Sequence, residues 1–448
     1  MVISKKQMTQ TVRRWYGSRL AVIIESIIIG AAVGFVVVLF RYLLVRAEDL
    51  RTLIYQALPG LPFFWTLCWG LALALAGLFL GWIAKKRPMI RGSGIPQIKG
   101  ALLGQMTLDW VPELPLKLVT GILGLGAGLS LGREGPSIQI GAYVGKGVLS
   151  IFRRPEREQQ FLITGASAAG LAAAFNAPLA GVLFALEELQ SSFTPLFLAC
   201  AMGASMAAAG AAALFFGLHP IFDFRDIAAL PLRGFPWVVL LGIICGLLGD
   251  LFKRGIYCSL NLYDRFRIPP ILRPVIPLAM SVPLGFLFFD ITGGGHALIE
   301  SLSMTERSLT LILLLLAGKL LFTALCYGSG TSGGIFLPLL ACGALAGIGL
   351  GKFLAFAGIT TPEQNLNFMI LGMAAFFSGV VKAPVTGIIL ILEMSGNFNH
   401  LWSLVLVSLS AFVTADLIAS RPIYTVLLER MVKPKVPDQN SWAGNNDG

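Results

Sequence analysis

Charge is what this chain has least of. Only 13% of its 448 residues are Asp, Glu, Lys or Arg, about half the ~25% usual in soluble domains. Hydrophobic residues make up 56%, and mean hydropathy is +0.79. That balance excludes a water-soluble globular protein, and no stretch reads as an appended regulatory domain. Strict apolar–polar alternation is also missing, which excludes a transmembrane β-barrel. The three histidines, His219, His296 and His400, are scattered. The six cysteines, Cys68, Cys200, Cys245, Cys258, Cys326 and Cys342, show no paired spacing. A zinc site needs close Cys/His pairs, so no metal or other cofactor is expected, and the cysteines read as small packing residues. Met1–Tyr16 is polar and no short apolar core with a cleavage site follows, so a cleaved signal peptide is not expected.

What is present is a series of apolar runs near the roughly 20 residues that a transmembrane helix requires. They include Leu20–Phe40, Leu61–Ala84, Phe161–Leu186, Leu196–Leu218, Trp237–Phe252, Leu309–Tyr327 and Leu401–Ala419. The net charge of +11 gathers at run ends and termini, at Lys5, Lys6, Arg13, Arg14, Lys85, Lys86, Arg87, Arg153, Arg154, Lys433 and Lys435. Such clusters mark the cytoplasmic ends of spans. They read as a topology signal, with both termini cytoplasmic, and not as a nucleic-acid surface. The partner is the lipid bilayer.

The chain therefore reads as an all-α polytopic membrane protein, a single transmembrane domain over 1–448. Residues 1–19 form a cytoplasmic amphipathic lead-in, 20–218 a first half, 233–431 a second half and 432–448 a short polar tail. The first span, Leu20–Val45, carries Glu25 near enough its end to reach polar surroundings. Lys117, in Leu116–Leu131, either adds positive potential to a pathway or pairs with a carboxylate. The two halves share a repeat: Phe175-Asn176-Ala177-Pro178-Leu179-Ala180-Gly181 through Glu187-Glu188 matches Val381-Lys382-Ala383-Pro384-Val385-Thr386-Gly387 through Glu393-Met394. Many transporters consist of two such halves, with discontinuous helices meeting at a central site.

Three glycine-bearing, proline-punctuated elements interrupt the apolar runs: Gly92–Pro96, Gly132–Pro136 and Gly333–Pro338. Proline suits the first turn of a helix, so each reads as a helix start at membrane depth. Irregular backbone survives there only when buried in protein or lining a wet cavity. Unpaired N–H groups and the positive dipole end of a helix attract anions. They do so without a full charge that would hold an ion too tightly to release. Glu134 is itself an anion set to compete for such a pocket. Ser93 and Tyr424 offer hydroxyl donors to complete the shell.

Gly92-Ser93-Gly94-Ile95-Pro96, Gly132-Arg133-Glu134-Gly135-Pro136, Gly334-Ile335-Phe336-Leu337-Pro338 and the tyrosine of Arg421–Tyr424 resemble, in order, the signature elements of the CLC chloride channel and transporter family, bacterial type without CBS domains. The similarity runs over nearly the whole chain. It implies two inverted-topology halves, and a homodimer with one pathway per subunit. It also implies a central anion held by Ser93, Gly94, Ile95, the amides of Ile335 and Phe336, and Tyr424, with Glu134 as external gating glutamate. Leu337 departs from the alanine common in bacterial members.

Glu188 separates the subclasses, because family exchangers carry a second glutamate near the cytoplasmic side as a proton entry point. Its repeat counterpart is Met394, whereas Glu187 matches Glu393, which points those two to structural roles. The expectation is a chloride/proton antiporter of the bacterial inner membrane, with chloride and protons as its substrates. Glu134 would occupy an anion site when ionised and swing away when protonated. A passive chloride channel of the same family is the alternative. A fluoride-selective relative fits Ser93 and Tyr424 less well. An intramembrane enzyme using Glu134 would lack a nucleophile or metal motif.

Overall fold

Proline and glycine decide where the helices of this chain stop. In a computed structural model, which describes residues 5–152, 156–190 and 194–432, the chain is almost wholly α-helical. Among the described residues there is no strand, only two isolated β-bridges. The first half holds α1 (Lys5–Ala57), α2 (Phe63–Lys86), α3 (Ile95–Leu102), α4 (Trp110–Gly126), α5 (Glu134–Phe152), α6 (Glu156–Phe175), α7 (Pro178–Phe184) and α8 (Pro195–Phe216). The second holds α9 (Phe235–Arg265), α10 (Val275–Leu287), α11 (His296–Met304), α12 (Leu309–Gly328), α13 (Phe336–Phe356), α14 (Asn365–Val381), α15 (Pro384–Ser395), α16 (Leu401–Leu417) and α17 (Ile423–Val432). Eight helical stretches among the described residues are long and apolar enough to cross a bilayer. The protein is a multi-pass membrane protein.

Three readings change. First, α1 starts at Lys5 and continues past Val45 to Ala57, so the helix that carries the first span extends beyond Leu20–Val45 at both ends. Glu25 is buried well inside that helix, away from its end. Second, Phe161–Leu186, which suits one span on composition, is broken. Asn176 adopts φ 57 and α7 begins at Pro178 after a two-residue gap. A residue before proline is pushed out of helical geometry, and asparagine tolerates the left-handed turn better than most residues. Third, the chain past Phe184 tightens no further into α-helix but runs as a π-helical segment, Ala185–Gln190. Arg153, Arg154, Lys433, Lys435 and the tail from residue 433 lie outside the described residues.

Corresponding features recur about 200 residues apart. Gly92 and Gly94 have φ of 59° and 88°; Gly293 and Gly295 have 67° and 108°. Each pair opens a short helix, α3 or α11. Asn176 before α7 is matched by Lys382, φ 64, before α15. In both halves small residues let helices touch backbone to backbone, as membrane packing favours. A Cβ at Gly170 would fall 2.2 Å from the Ser137 carbonyl, and one at Gly372 2.1 Å from the Gly343 carbonyl.

Candidate anion site

The two halves meet at Gly132 and Gly334. Their backbones exchange hydrogen bonds in an antiparallel bridge, N–H to carbonyl at 2.6 and 2.7 Å. This bridge sets the starts of α5 and α13 side by side. A second bridge ties in the loop before α3, where the Gly92 N–H donates to Thr331 O at 3.1 Å and the Gly333 N–H to Gly92 O at 3.0 Å. All three glycine elements thus converge, and they do so through main-chain atoms that no side-chain substitution supplies.

Glu134 opens α5 and is completely buried. A Cβ built on Gly132 would lie 2.2 Å from Glu134 Oε2 and 3.1 Å from the Leu337 nitrogen. The carboxylate therefore folds back across Gly132 toward the first turn of α13, near its own N–H and that of Leu337. Neither oxygen reaches good hydrogen-bond geometry among the described residues. Ser93 abuts the next residue: a Cβ at Gly135 would sit 2.7 Å from Ser93 O and 2.8 Å from its Cβ. The Ser93 hydroxyl accepts the Ile95 N–H at 3.3 Å. Gly94 caps α3 with φ 88 and Gln139 crowded against it.

Tyr424 lies in the first turn of α17, fully buried, and its hydroxyl has no hydrogen-bond partner among the described residues. Its electrostatic neighbours are Tyr327, Glu188 and Glu134. Phe336, also fully buried, packs its ring on Phe175, Phe184 and Phe377 with centroids 5.3, 6.1 and 4.8 Å away. Those rings hold the N-terminus of α13 in place. A buried polar atom without a partner costs about 1–3 kcal/mol. An unpartnered carboxylate and phenol beside the starts of α3, α5 and α13 therefore mark a place built for something else to bind. Helix N-termini make that something an anion.

Two cavities flank this centre. One, of about 610 Å³, is walled by Arg41, Arg51, Arg133, Gly293–Gly295 and Leu337; the other, of about 380 Å³, by Arg91, Gly92, Tyr327 and Arg430.

The remaining site residue, Glu188, is buried in the π-helical segment and ion-paired with Lys99 Nζ at 2.9 Å. Lys99, on α3, also donates to the Thr425 hydroxyl at 3.2 Å. Lys99 carries no motif; its one signal is a charge inside a short buried helix. Lys117 pairs with carbonyls, its ammonium donating to Ile90 O and Gly92 O at 2.9 Å each. Its counterpart Lys319 donates to Ile291 O at 3.1 Å and Gly293 O at 2.7 Å.

The profile of the voltage gated chloride channel family matches residues 76–416. The chain belongs to that family. Among voltage gated chloride channel relatives, the H(+)/Cl(-) exchange transporter ClcA of Vibrio cholerae is 35% identical over 434 residues, covering 92% of this chain and 90% of the relative. The ClcA of Citrobacter koseri is 34% identical over 450 residues, covering 95% and 93%. Of solved structures in the family, a slow cyanobacterial Cl-/H+ antiporter superposes with a TM-score of 0.87 at 30% identity, covering 92% of this chain and 98% of its own.

Proposed function

We propose that the chain is a chloride/proton antiporter of a bacterial inner membrane. The anion is held by the helix starts at Gly94–Ile95 and Ile335–Phe336 together with Ser93 and Tyr424. Glu134 is the proton-linked gate, and Glu188 is the proton site toward the cytoplasm. The observation that carries this reading is the Glu134 carboxylate lying back over Gly132 against the first turn of α13. Ionised, it fills with its own charge a pocket suited to an anion. Protonated, it loses most of its attraction to the helix dipoles, and an arriving chloride can take its place. Anion entry and proton binding thus favour the same displaced state, which couples their fluxes in opposite directions. The relatives named for chloride/proton exchange support the same chemistry.

The repeated glycine pairs and the antiparallel contact of Gly132 with Gly334 support two inverted halves, 20–218 and 233–431. Each subunit of a homodimer would carry its own pathway. The arginines that line the smaller cavity, Arg91, Arg273 and Arg430, support placing that face, and both termini, in the cytoplasm.

The test is proton movement driven by a chloride gradient in proteoliposomes. Wild-type protein is expected to drive protons against their gradient. Glu134→Gln is expected to keep chloride passage and to lose proton movement. A wild-type protein that passes chloride with no proton flux would make this a passive channel.

A further inference from the structure

The larger cavity does not reach the Glu134 pocket: Leu131, Arg133 and Leu337 line it, and Glu134 does not. Three of its walls are buried guanidiniums. Arg41 and Arg51 are each 6% exposed and Arg133 9%. Each keeps at least one N–H without a hydrogen-bond partner among the described residues: Nε of Arg41, Nε and Nη1 of Arg51, and Nε of Arg133. Arg41 spends one donor on Ala173 O at 2.6 Å and rests on the Phe216 ring. Arg51 lies along the backbone of Gly128 and Gly293, where a Cβ on either would come within 3.2 Å of its Nη1.

Four carboxylates, Glu48, Asp49, Asp290 and Glu300, line the same cavity, but only one of them answers the buried guanidiniums. Glu48 stands within electrostatic reach of Arg51 and Arg133. Asp290 is engaged by Arg307 at 2.6 Å, while Asp49 and Glu300 are exposed to solvent. One carboxylate facing three buried cations leaves a deficit, and buried charge is costly unless it is paired. Water can satisfy an N–H but cannot neutralise a guanidinium. The wall also carries the start of α11, whose first-turn N–H groups have no intrahelical acceptor. In the first half, the loop equivalent to Gly293–Gly295 carries Ser93 at its centre; here the middle residue is Gly294, so this loop brings no hydroxyl of its own, and a Cβ there would meet Leu131 O and Leu337 at 3.1 Å.

We infer that Arg41, Arg51 and Arg133 form a second anion site in this vestibule, separate from the pocket Glu134 fills, and that it takes a chloride-sized monovalent anion. It serves as a waiting position for ions entering from the Glu134 side. The binding claim stands apart from the antiporter reading; only the waiting role rests on it.

Crystals of the full chain grown in bromide test the binding claim by anomalous scattering. A peak within hydrogen-bonding distance of Arg51 and Arg133 is expected, besides a central one near Ser93 and Tyr424. Arg51→Met should erase the vestibule peak alone, and Arg51→Lys should keep it. A central peak with no vestibule peak overturns the inference and leaves the antiporter reading intact. A vestibule peak with no central one supports the inference and removes the proposed central site. Sided chloride uptake tests the waiting role in folded, monodisperse protein. Arg51→Met and Arg41→Met should each raise KM from the vestibule face about tenfold, the loss of one charge-assisted hydrogen bond. KM from the opposite face and the ratio of protons to chloride should hold. An equal rise from both faces would overturn it.

Discussion

Glu187, near the end of the first repeat copy, accepts two hydrogen bonds from Thr386 in the first turn of the second copy. The Thr386 N–H is 2.8 Å away and its hydroxyl 2.7 Å. The reverse relation also holds: Glu393 accepts the N–H groups of Leu179 and Ala180 at 3.0 and 2.8 Å. Each copy thus places a carboxylate on the helix start of the other. The equivalence of Glu187 and Glu393 in sequence is a pair of exchanged caps, α7 capped by the second half and α15 by the first.

Such caps combine charge-assisted hydrogen bonds with a favourable helix dipole. Glu187→Ala and Glu393→Ala should each lower stability by about 2 kcal/mol, read by chemical unfolding in detergent. Gln variants should lose about half as much, since the amide oxygen still accepts but carries no charge. An Ala variant as stable as wild type would remove the cap.

Two of the buried lysines, Lys117 and Lys319, act as struts beneath glycine loops. Lys117 holds the carbonyls of Ile90 and Gly92, next to Ser93, while Lys319 holds those of Ile291 and Gly293. Lys319→Met strands two buried carbonyls at about 1–3 kcal/mol each, whereas Lys117→Met strands that of Ile90 and leaves Gly92 O with the Gly333 N–H alone. Only one loop, however, carries a proposed anion ligand. Lys117→Met should weaken central anion binding, measured by calorimetric chloride titration, severalfold more than Lys319→Met. Equal losses would mean that Lys117 supports the fold in general and not Ser93 in particular.

The anion elements were legible because they break local rules: a glycine–proline start inside an apolar run has few uses, and Glu134 stands in one. The repeat was legible because alanine, proline and glycine recur at fixed offsets. What the sequence hid depends on contacts far along the chain. Lys99 meets Glu188 across 89 residues, and Arg41 and Arg51 read as ordinary charges on a long helix until the Gly293 loop closes over them. The fourth glycine cluster, Gly293–Gly295, showed only as composition, since nothing local reveals that its φ angles copy those of Gly92 and Gly94. The break at Asn176–Pro178 was in plain view, but the apolar run around it outweighed one proline.

The Lys99–Glu188 pair is nearly dry, and the Lys99 ammonium also reaches Thr425, beside Tyr424. Removing one member of a buried ion pair leaves an uncompensated charge, at about 3–5 kcal/mol. Removing both does not. Lys99→Met should therefore be strongly destabilising, and Lys99→Met with Glu188→Gln should recover most of the loss, as a double-mutant cycle would register. The double variant should still pass chloride while losing most of its proton flux, because the carboxylate is gone. Additive destabilisation would show the two groups to be energetically independent, and undiminished proton flux would remove Glu188 from the proton route.

Gly132 offers the sharpest check on the gate, because its closest would-be contact is the Glu134 carboxylate itself. A methyl group there would lie 2.2 Å from Oε2, and the next atoms, the Leu337 nitrogen and Cβ, are 3.1 and 3.2 Å away. Gly132 has no positive φ, so alanine fits the backbone, and the flexible carboxylate gives way before the helix start does. Gly132→Ala should therefore push Glu134 out of its pocket without changing its chemistry. Chloride flux should persist and proton coupling should fall toward that of Glu134→Gln. Adding Gly132→Ala to Glu134→Ala should change little further, since the group it displaces is already missing. Full proton coupling in Gly132→Ala would mean that the folded-back carboxylate is not the state that transport passes through.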